Sequence, residues 1–223
     1  MKIKSLSLAI ISATVLLSGA AQAYEAGDFI VRGGLASVNP DVDSGNLYVA
    51  GVEQPDSKVD VNNETQLGLS LTYMIQDNFG IELLAATPFS HKLQGKGGLS
   101  GLGDFAEVKH LPPTLSVQYY PMGNASAFQP YFGAGLNYTI FFSEKFVGAG
   151  SNAGFRNLKL DDSLGLAAQV GFDYQVADNW SVNAAVWYMD IDTTGTFTDG
   201  SNDYKIDVSL DPWVYMAGVA YRF

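Results

Sequence analysis

The sequence predicts an all-β chain, folded as an eight-stranded antiparallel transmembrane β-barrel with short periplasmic turns and four longer extracellular loops. Three observations carry that expectation. The C-terminal segment alternates without a break: Trp213, Tyr215, Ala217, Val219, Tyr221 and Phe223 fall on one face, and Val214, Met216, Gly218, Ala220 and Arg222 on the other. At the opposite end, Lys2 and Lys4 precede an apolar stretch from Leu6 to Leu17, and Ala21-Gln22-Ala23 has the small-x-small form of a cleavage site. Between them lie seven further alternating segments, joined by connections that are short and long in turn.

Residues 1–23 are therefore expected to be a cleaved signal peptide, with residues 24–223 the barrel. The apolar core of the leader is about a dozen residues, short of the roughly 20 a membrane helix needs. No later stretch reaches that length, which argues against a helical inner-membrane protein. Losing Lys2 and Lys4 takes the net charge from −11 to −13, so nucleic-acid binding has no electrostatic basis. The chain has no cysteine, which removes disulfide frameworks, thiol catalysis and thiolate metal sites.

The strands follow in order. The first runs from about Asp28 to Val38. In the second, Leu67, Leu69, Leu71, Tyr73 and Ile75 oppose Gln66, Gly68, Ser70, Thr72 and Met74. After Gln76-Asp77-Asn78, the third sets Phe79, Ile81, Leu83 and Ala85 against Gly80, Glu82, Leu84 and Ala86. The fourth covers Thr114 to Tyr120, and Pro121 to Phe128 make the next turn. The fifth carries Phe132, Ala134, Leu136, Tyr138, Ile140 and Phe142 on one face; the sixth carries Leu164, Leu166, Ala168, Val170, Phe172, Tyr174 and Val176. Ala177-Asp178-Asn179 turns into the seventh, where Trp180, Val182, Ala184, Val186 and Tyr188 share a face, and the C-terminal strand is the eighth. The long connections, about 39–65, 88–113, 143–162 and 192–207, are read as loops.

A soluble barrel would turn its apolar face inward. Here the minor face holds Gln66, Ser70, Thr72, Glu82, Gln118, Gln169, Asp173, Gln175 and Asn183, a set suited to a lumen. Aromatics gather at strand ends: Phe29, Phe79, Tyr119, Tyr174, Trp180, Tyr221 and Phe223 at one level, and Phe142, Tyr188 and Trp213 at the other. That is the two-girdle pattern of a membrane barrel. It places the protein in the outer membrane of a Gram-negative cell, both termini periplasmic, in contact with membrane lipid and lipopolysaccharide. The ending Gly218-Val219-Ala220-Tyr221-Arg222-Phe223 also looks like the C-terminal signal read by the barrel-assembly machinery. Gly218, Tyr221 and Phe223 are its defining positions, with Met216 a departure where a polar residue is usual.

Other motifs are weaker. His91 and His110, the two histidines, flank the second long connection and are expected to meet at the rim as solvated side chains. A metal site there, or a catalytic one with Ser90, lacks a recognisable third group. Gly95 to Gly103 (GKGGLSGLG) sits in a loop, not between a strand and a helix as phosphate binding requires. Asp190-Ile191-Asp192 with Gly195 has the start of a calcium loop, but Ser201 stands where a bidentate Glu is needed. No metal, cofactor or enzymatic activity is expected.

Six strings resemble the outer membrane protein W (OmpW) family: Gln66 to Met74, Gly80 to Pro88 (GIELLAATP), His110 to Thr114 (HLPPT), Tyr131 to Tyr138 (YFGAGLNY), Trp187 to Thr194 (WYMDIDTT) and Asp211 to Val214. The resemblance covers essentially the whole of 24–223. It implies an eight-stranded outer-membrane barrel associated with passage of small hydrophobic compounds.

The lumen is compatible with that. Eight strands enclose an interior that side chains fill, or that holds one small ligand, too narrow for a general sugar pore. By parity Leu84 and Trp187 point inward and, with Met189, are expected to form an apolar constriction, a hydrophobic gate. Packing that simply plugs the barrel is the alternative. Reducing Leu84 and Trp187 to Ala is then expected to raise ion conductance. The function read from the sequence is a narrow channel or binding site for passive passage of small hydrophobic molecules. Two other readings remain: a structural or surface-interaction barrel with a plugged lumen, and a lipid-acting enzyme, for which no convergent His, Ser and carboxylate are found.

Overall fold

Alternate residues along eight long strands are buried and exposed in turn, and the eight close on one another through backbone hydrogen bonds. The computed structural model describes residues 24–122 and 126–223; the leader assigned to residues 1–23 lies outside the described residues. The barrel strands are β1 (Phe29–Asn39), β2 (Glu64–Gln76), β3 (Phe79–Ala86), β4 (Thr114–Tyr119), β5 (Phe128–Phe146), β6 (Ser163–Gln175), β7 (Trp180–Met189) and β8 (Trp213–Arg222). Each pairs antiparallel with its sequence neighbours. Closure runs between β1 and β8, from Ile30 opposite Arg222 to Asn39 opposite Trp213, which joins the eight strands into a ring.

The two chain ends can zip closely because glycines face each other at the seam. Gly34 lies opposite Gly218, and a β-carbon on either would stand 2.2 or 2.1 Å from a carbonyl oxygen of the neighbouring strand. Gly218 thus has a packing reason to be glycine, apart from any part in an assembly signal. Phe223 is tied down by its backbone N–H, which donates to Phe29 O at 2.9 Å.

The outward stripe is apolar: Leu67, Leu69, Leu71, Leu136, Leu164 and Leu166 are among its exposed side chains. Girdle aromatics pack in neighbouring pairs at the turn end, Phe29 with Tyr73, Phe79 with Tyr119 and Trp180 with Tyr221, and at the other end Tyr188 with Trp213. Leu166 is 67 % exposed on this stripe and paired with Leu136, which is exposed on the same face. Leu166→Arg should therefore lower stability by about 2–4 kcal/mol in urea unfolding from phospholipid vesicles. A loss below about 1 kcal/mol, the value near an interface, would place Leu166 outside the apolar band.

The long connections differ from the loops expected of them. β5 alone is 19 residues, about twice the 9–11 that cross a bilayer, so its upper half stands above the membrane band. There it pairs with Asp104–Leu111, which pairs in turn with Phe89–Gly97 and that with Ser57–Val61, carrying the barrel sheet upward. A second sheet of Asp43–Ser44, Leu47–Val49, Val52–Gln54, Arg156–Leu160, Asp192–Thr198 and Asp203–Ser209 faces it across the rim. The physical reason is that side chains continue to alternate above the membrane level, with Val59, Val108, Ile206 and Val208 buried between the sheets. The glycine-rich GKGGLSGLG string forms a strand end and a short 3-10 turn, Ser100–Leu102, at the tip of one rim hairpin.

Candidate functional site

The barrel interior has three levels. At the turn end a polar layer fills the lumen, built around Arg32 of β1, which the sequence reading did not single out. Its guanidinium is 1 % exposed. Nη2 donates to Asp173 Oδ2 at 2.7 Å and to the Tyr120 hydroxyl at 2.9 Å, and Nη1 donates to Thr72 Oγ1 at 2.7 Å. Glu82 lies 3.5 Å from Nη1, and the Tyr131 ring lies under the guanidinium at 4.8 Å. Asp173 also accepts from the Tyr24 hydroxyl at 2.7 Å and from Asn183 Nδ2 at 2.8 Å. Gln169 Nε2 donates to Glu82 Oε1 at 2.9 Å, and Gln118 Nε2 to Gln169 Oε1 at 3.1 Å. Charges this deeply buried are tolerable because each is paired and hydrogen-bonded. The layer crosses the lumen from β1 to β6 and closes it as a plug.

Above the plug lies an apolar level. Leu84, Trp187 and Met189 are all buried there and, with Ala36, Val214 and Met216, line a small cavity of about 20 Å³. Parity points Leu84 and Trp187 inward, and both side chains are buried at this level beside Met189. Trp187 Nε1 is buried with no hydrogen-bond partner among the described residues. Phe89, from the rim hairpin, lines the same cavity and was missed because its segment was read as loop.

The third level is a larger cavity between the two rim sheets, about 90 Å³, with Val38, Val59, Phe105, Val108, Phe141 and Ile206 among its walls. Its lining includes no Lys, Arg, Asp or Glu. His91 and His110 do meet, with ring centroids 4.9 Å apart, but they are buried in this lining and not solvated at the rim. Phe89 stacks on His110 at 5.4 Å and separates the upper level from the lower. Burial holds His91 below its ordinary pKa; burial first, and the neighbouring His91 second, push His110 down to about 3. Both rings are neutral at physiological pH. Among the described residues no three His, Cys, Asp or Glu side chains converge on a point where a metal would sit.

Beside the lower cavity the barrel wall is interrupted. β3 and β4 pair from Phe79 opposite Tyr119 up to Leu84 opposite Thr114. Pairing resumes only in the rim, at Phe89 opposite His110. Residues 85–88 and 111–113 face each other without a ladder, and three of these seven, Pro88, Pro112 and Pro113, have no N–H to offer one. Thr87 N and Pro113 O are satisfied from the opposite neighbours, Leu67 O and Tyr138 N. Ala85, Ala86 and Pro112, at this gap, line the lower cavity.

The OmpW family model matches residues 25–223. Outer membrane protein W of Vibrio cholerae serotype O1 is 52 % identical over 217 residues, which are 97 % of this chain and 97 % of that protein. Outer membrane protein W of Escherichia coli K12 is 49 % identical over 220 residues, 99 % of this chain and 100 % of that one. The crystal structure of the outer membrane protein OprG from Pseudomonas aeruginosa, 50 % identical, superimposes with a TM-score of 0.87 over 91 % of this chain and 98 % of its own.

Proposed function

The chain belongs to the OmpW family of outer-membrane barrels, and we propose that it lets small apolar molecules pass from the cell exterior sideways into the outer membrane. The single observation that carries this reading is an apolar interior set directly above a sealed polar plug and directly beside an unpaired stretch of wall. A solute entering the rim cavity is held by apolar contact, at roughly 25 cal/mol per Å² buried. The Arg32 layer bars the way down, and leaving an apolar cavity for a polar plug would cost the solute that contact. The gap between β3 and β4 leads to lipid. Phe89, Leu84, Trp187 and Met189 stand between the two cavities and the gap, and act as the gate. The protein performs no chemistry; it spares the solute the polar lipopolysaccharide layer, in contact with outer-membrane lipid throughout. The plugged barrel with a surface-interaction role is the competing reading, favoured by the same plug if nothing crosses the wall.

The gap is testable because the chain has no cysteine. Ala86→Cys places a thiol at the gap, and Ala168→Cys places one on the lipid face of β6 away from it. Coupling a bulky maleimide to the first should abolish barrel-dependent uptake of a fluorescent apolar probe by intact cells. The same reagent on the second should leave uptake unchanged. Equal uptake through both labelled barrels would reject the sideways route, and an absence of barrel-dependent uptake in the unlabelled protein would favour the surface-interaction reading.

A further inference from the structure

We infer that the rim cavity selects apolar molecules carrying one neutral hydroxyl group, an alcohol or a phenol, whose oxygen is held between His91 and His110. The inference rests on the reading of that cavity as the entry site for apolar solutes, and adds to it the polar function the solute bears.

The two histidines are anomalous in their surroundings. Both are more than nine-tenths buried, and both line a cavity whose other walls are almost wholly hydrocarbon. His91 Nδ1 lies 2.6 Å from the backbone oxygen of Asn62. A carbonyl oxygen can only accept, so Nδ1 carries the proton and Nε2 of the neutral ring is left as a bare acceptor. That Nε2 is buried with no partner among the described residues, and so is Nδ1 of His110. Buried polar groups are nearly always paired, so two unpaired nitrogens in one cavity wall call for a partner that the described residues do not supply.

A hydroxyl matches this pair because it is donor and acceptor at once. Its O–H donates to His91 Nε2, and its oxygen accepts from His110 when Nδ1 of that ring carries the proton. The two rings are stacked with centroids 4.9 Å apart, so the imidazoles stand side by side in the cavity wall. Phe89 stacked on His110, and the Asn62 bond on His91, hold the two rings in place before any ligand arrives. A hydrocarbon of the same shape would leave both nitrogens unpaired. A carboxylate would find no cation in the lining and two uncharged imidazoles, so its desolvation would go uncompensated. A ketone or ester carbonyl could use a donor on His110 but not the acceptor on His91.

The experiment compares p-cresol with p-xylene, which differ by a hydroxyl in place of a methyl, in displacing an apolar fluorescent probe from the refolded full barrel. In the His91→Phe/His110→Phe variant the affinity ratio of p-cresol to p-xylene should fall about tenfold from its wild-type value, with p-xylene binding retained. A wild-type measurement covers the case of a variant that does not fold. The chain has two histidines, so their imidazole ¹⁵N resonances can be assigned, and p-cresol should shift the unprotonated Nε2 of His91 while p-xylene should not. If p-xylene binds and the ratio and the ¹⁵N shift are unaffected by the hydroxyl, the histidine pair is no hydroxyl site and the conduit reading stands without it. If neither compound displaces the probe, the cavity is not an entry site and both inferences fall together.

Discussion

Replacing Arg32 with methionine should cost about 3–5 kcal/mol, the range found when one partner of a buried ion pair is removed. The substitution keeps an unbranched side chain of similar length but leaves Asp173 and Glu82 buried without their cation. Among the described residues Asp173 would keep Tyr24 and Asn183 as donors, and Glu82 would keep Gln169. Adding Asp173→Asn to Arg32→Met should restore part of the loss, because the stranded charge is then gone. Urea unfolding of the barrel in lipid vesicles, for both single variants and the double, yields the coupling directly. A cost for Arg32→Met near the 1 kcal/mol of an ordinary substitution would mean water reaches the layer and the lumen is not sealed there.

That arginine could have been found in the sequence. In Phe29–Asn39 the inward parity runs Ile30, Arg32, Gly34, Ala36, Val38, and a lone cation at an inward position of an eight-stranded barrel calls for a buried anion. Asp173 and Glu82 were assigned to the same face, so the plug was legible in parts that only register brings together. The barrel itself was readable because two environments, lipid and lumen, impress a period of two on every strand. The rim cavity was not, because its walls come largely from four connections far apart in sequence, and Val59, Val108, Leu158 and Ile206 become neighbours only through long-range pairing. Alternation in those segments also includes Thr193 and Gly195, which blurs the stripe. The gap had a local signature in Pro88, Pro112 and Pro113. Their missing N–H groups forecast a broken ladder wherever those residues face each other across one strand pair.

The constriction and the plug make opposite demands on one experiment. Leu84→Ala with Trp187→Ala removes an isobutyl and an indole group from the level just above the Arg32 layer, both fully or nearly buried. The sequence alone led to the expectation that ion conductance would rise, since a narrow lumen had been emptied. The polar layer lies below that level and neither substitution touches it, so conductance across a planar bilayer should stay close to that of the wild-type barrel. Passage of an apolar probe through the β3–β4 gap should instead increase, on the order of tenfold, if the two side chains contribute about 1.4 kcal/mol to the barrier there. Its dwell in the lower cavity should shorten, because the removed groups supplied contact area at roughly 25 cal/mol per Å². Heat-modifiable migration on gels checks that the barrel is folded before either reading is taken. A conductance that rises would show the plug to be open once the gate is gone, and the path would run down the axis. Unchanged passage with unchanged conductance would make Leu84 and Trp187 packing residues and remove them from the gate.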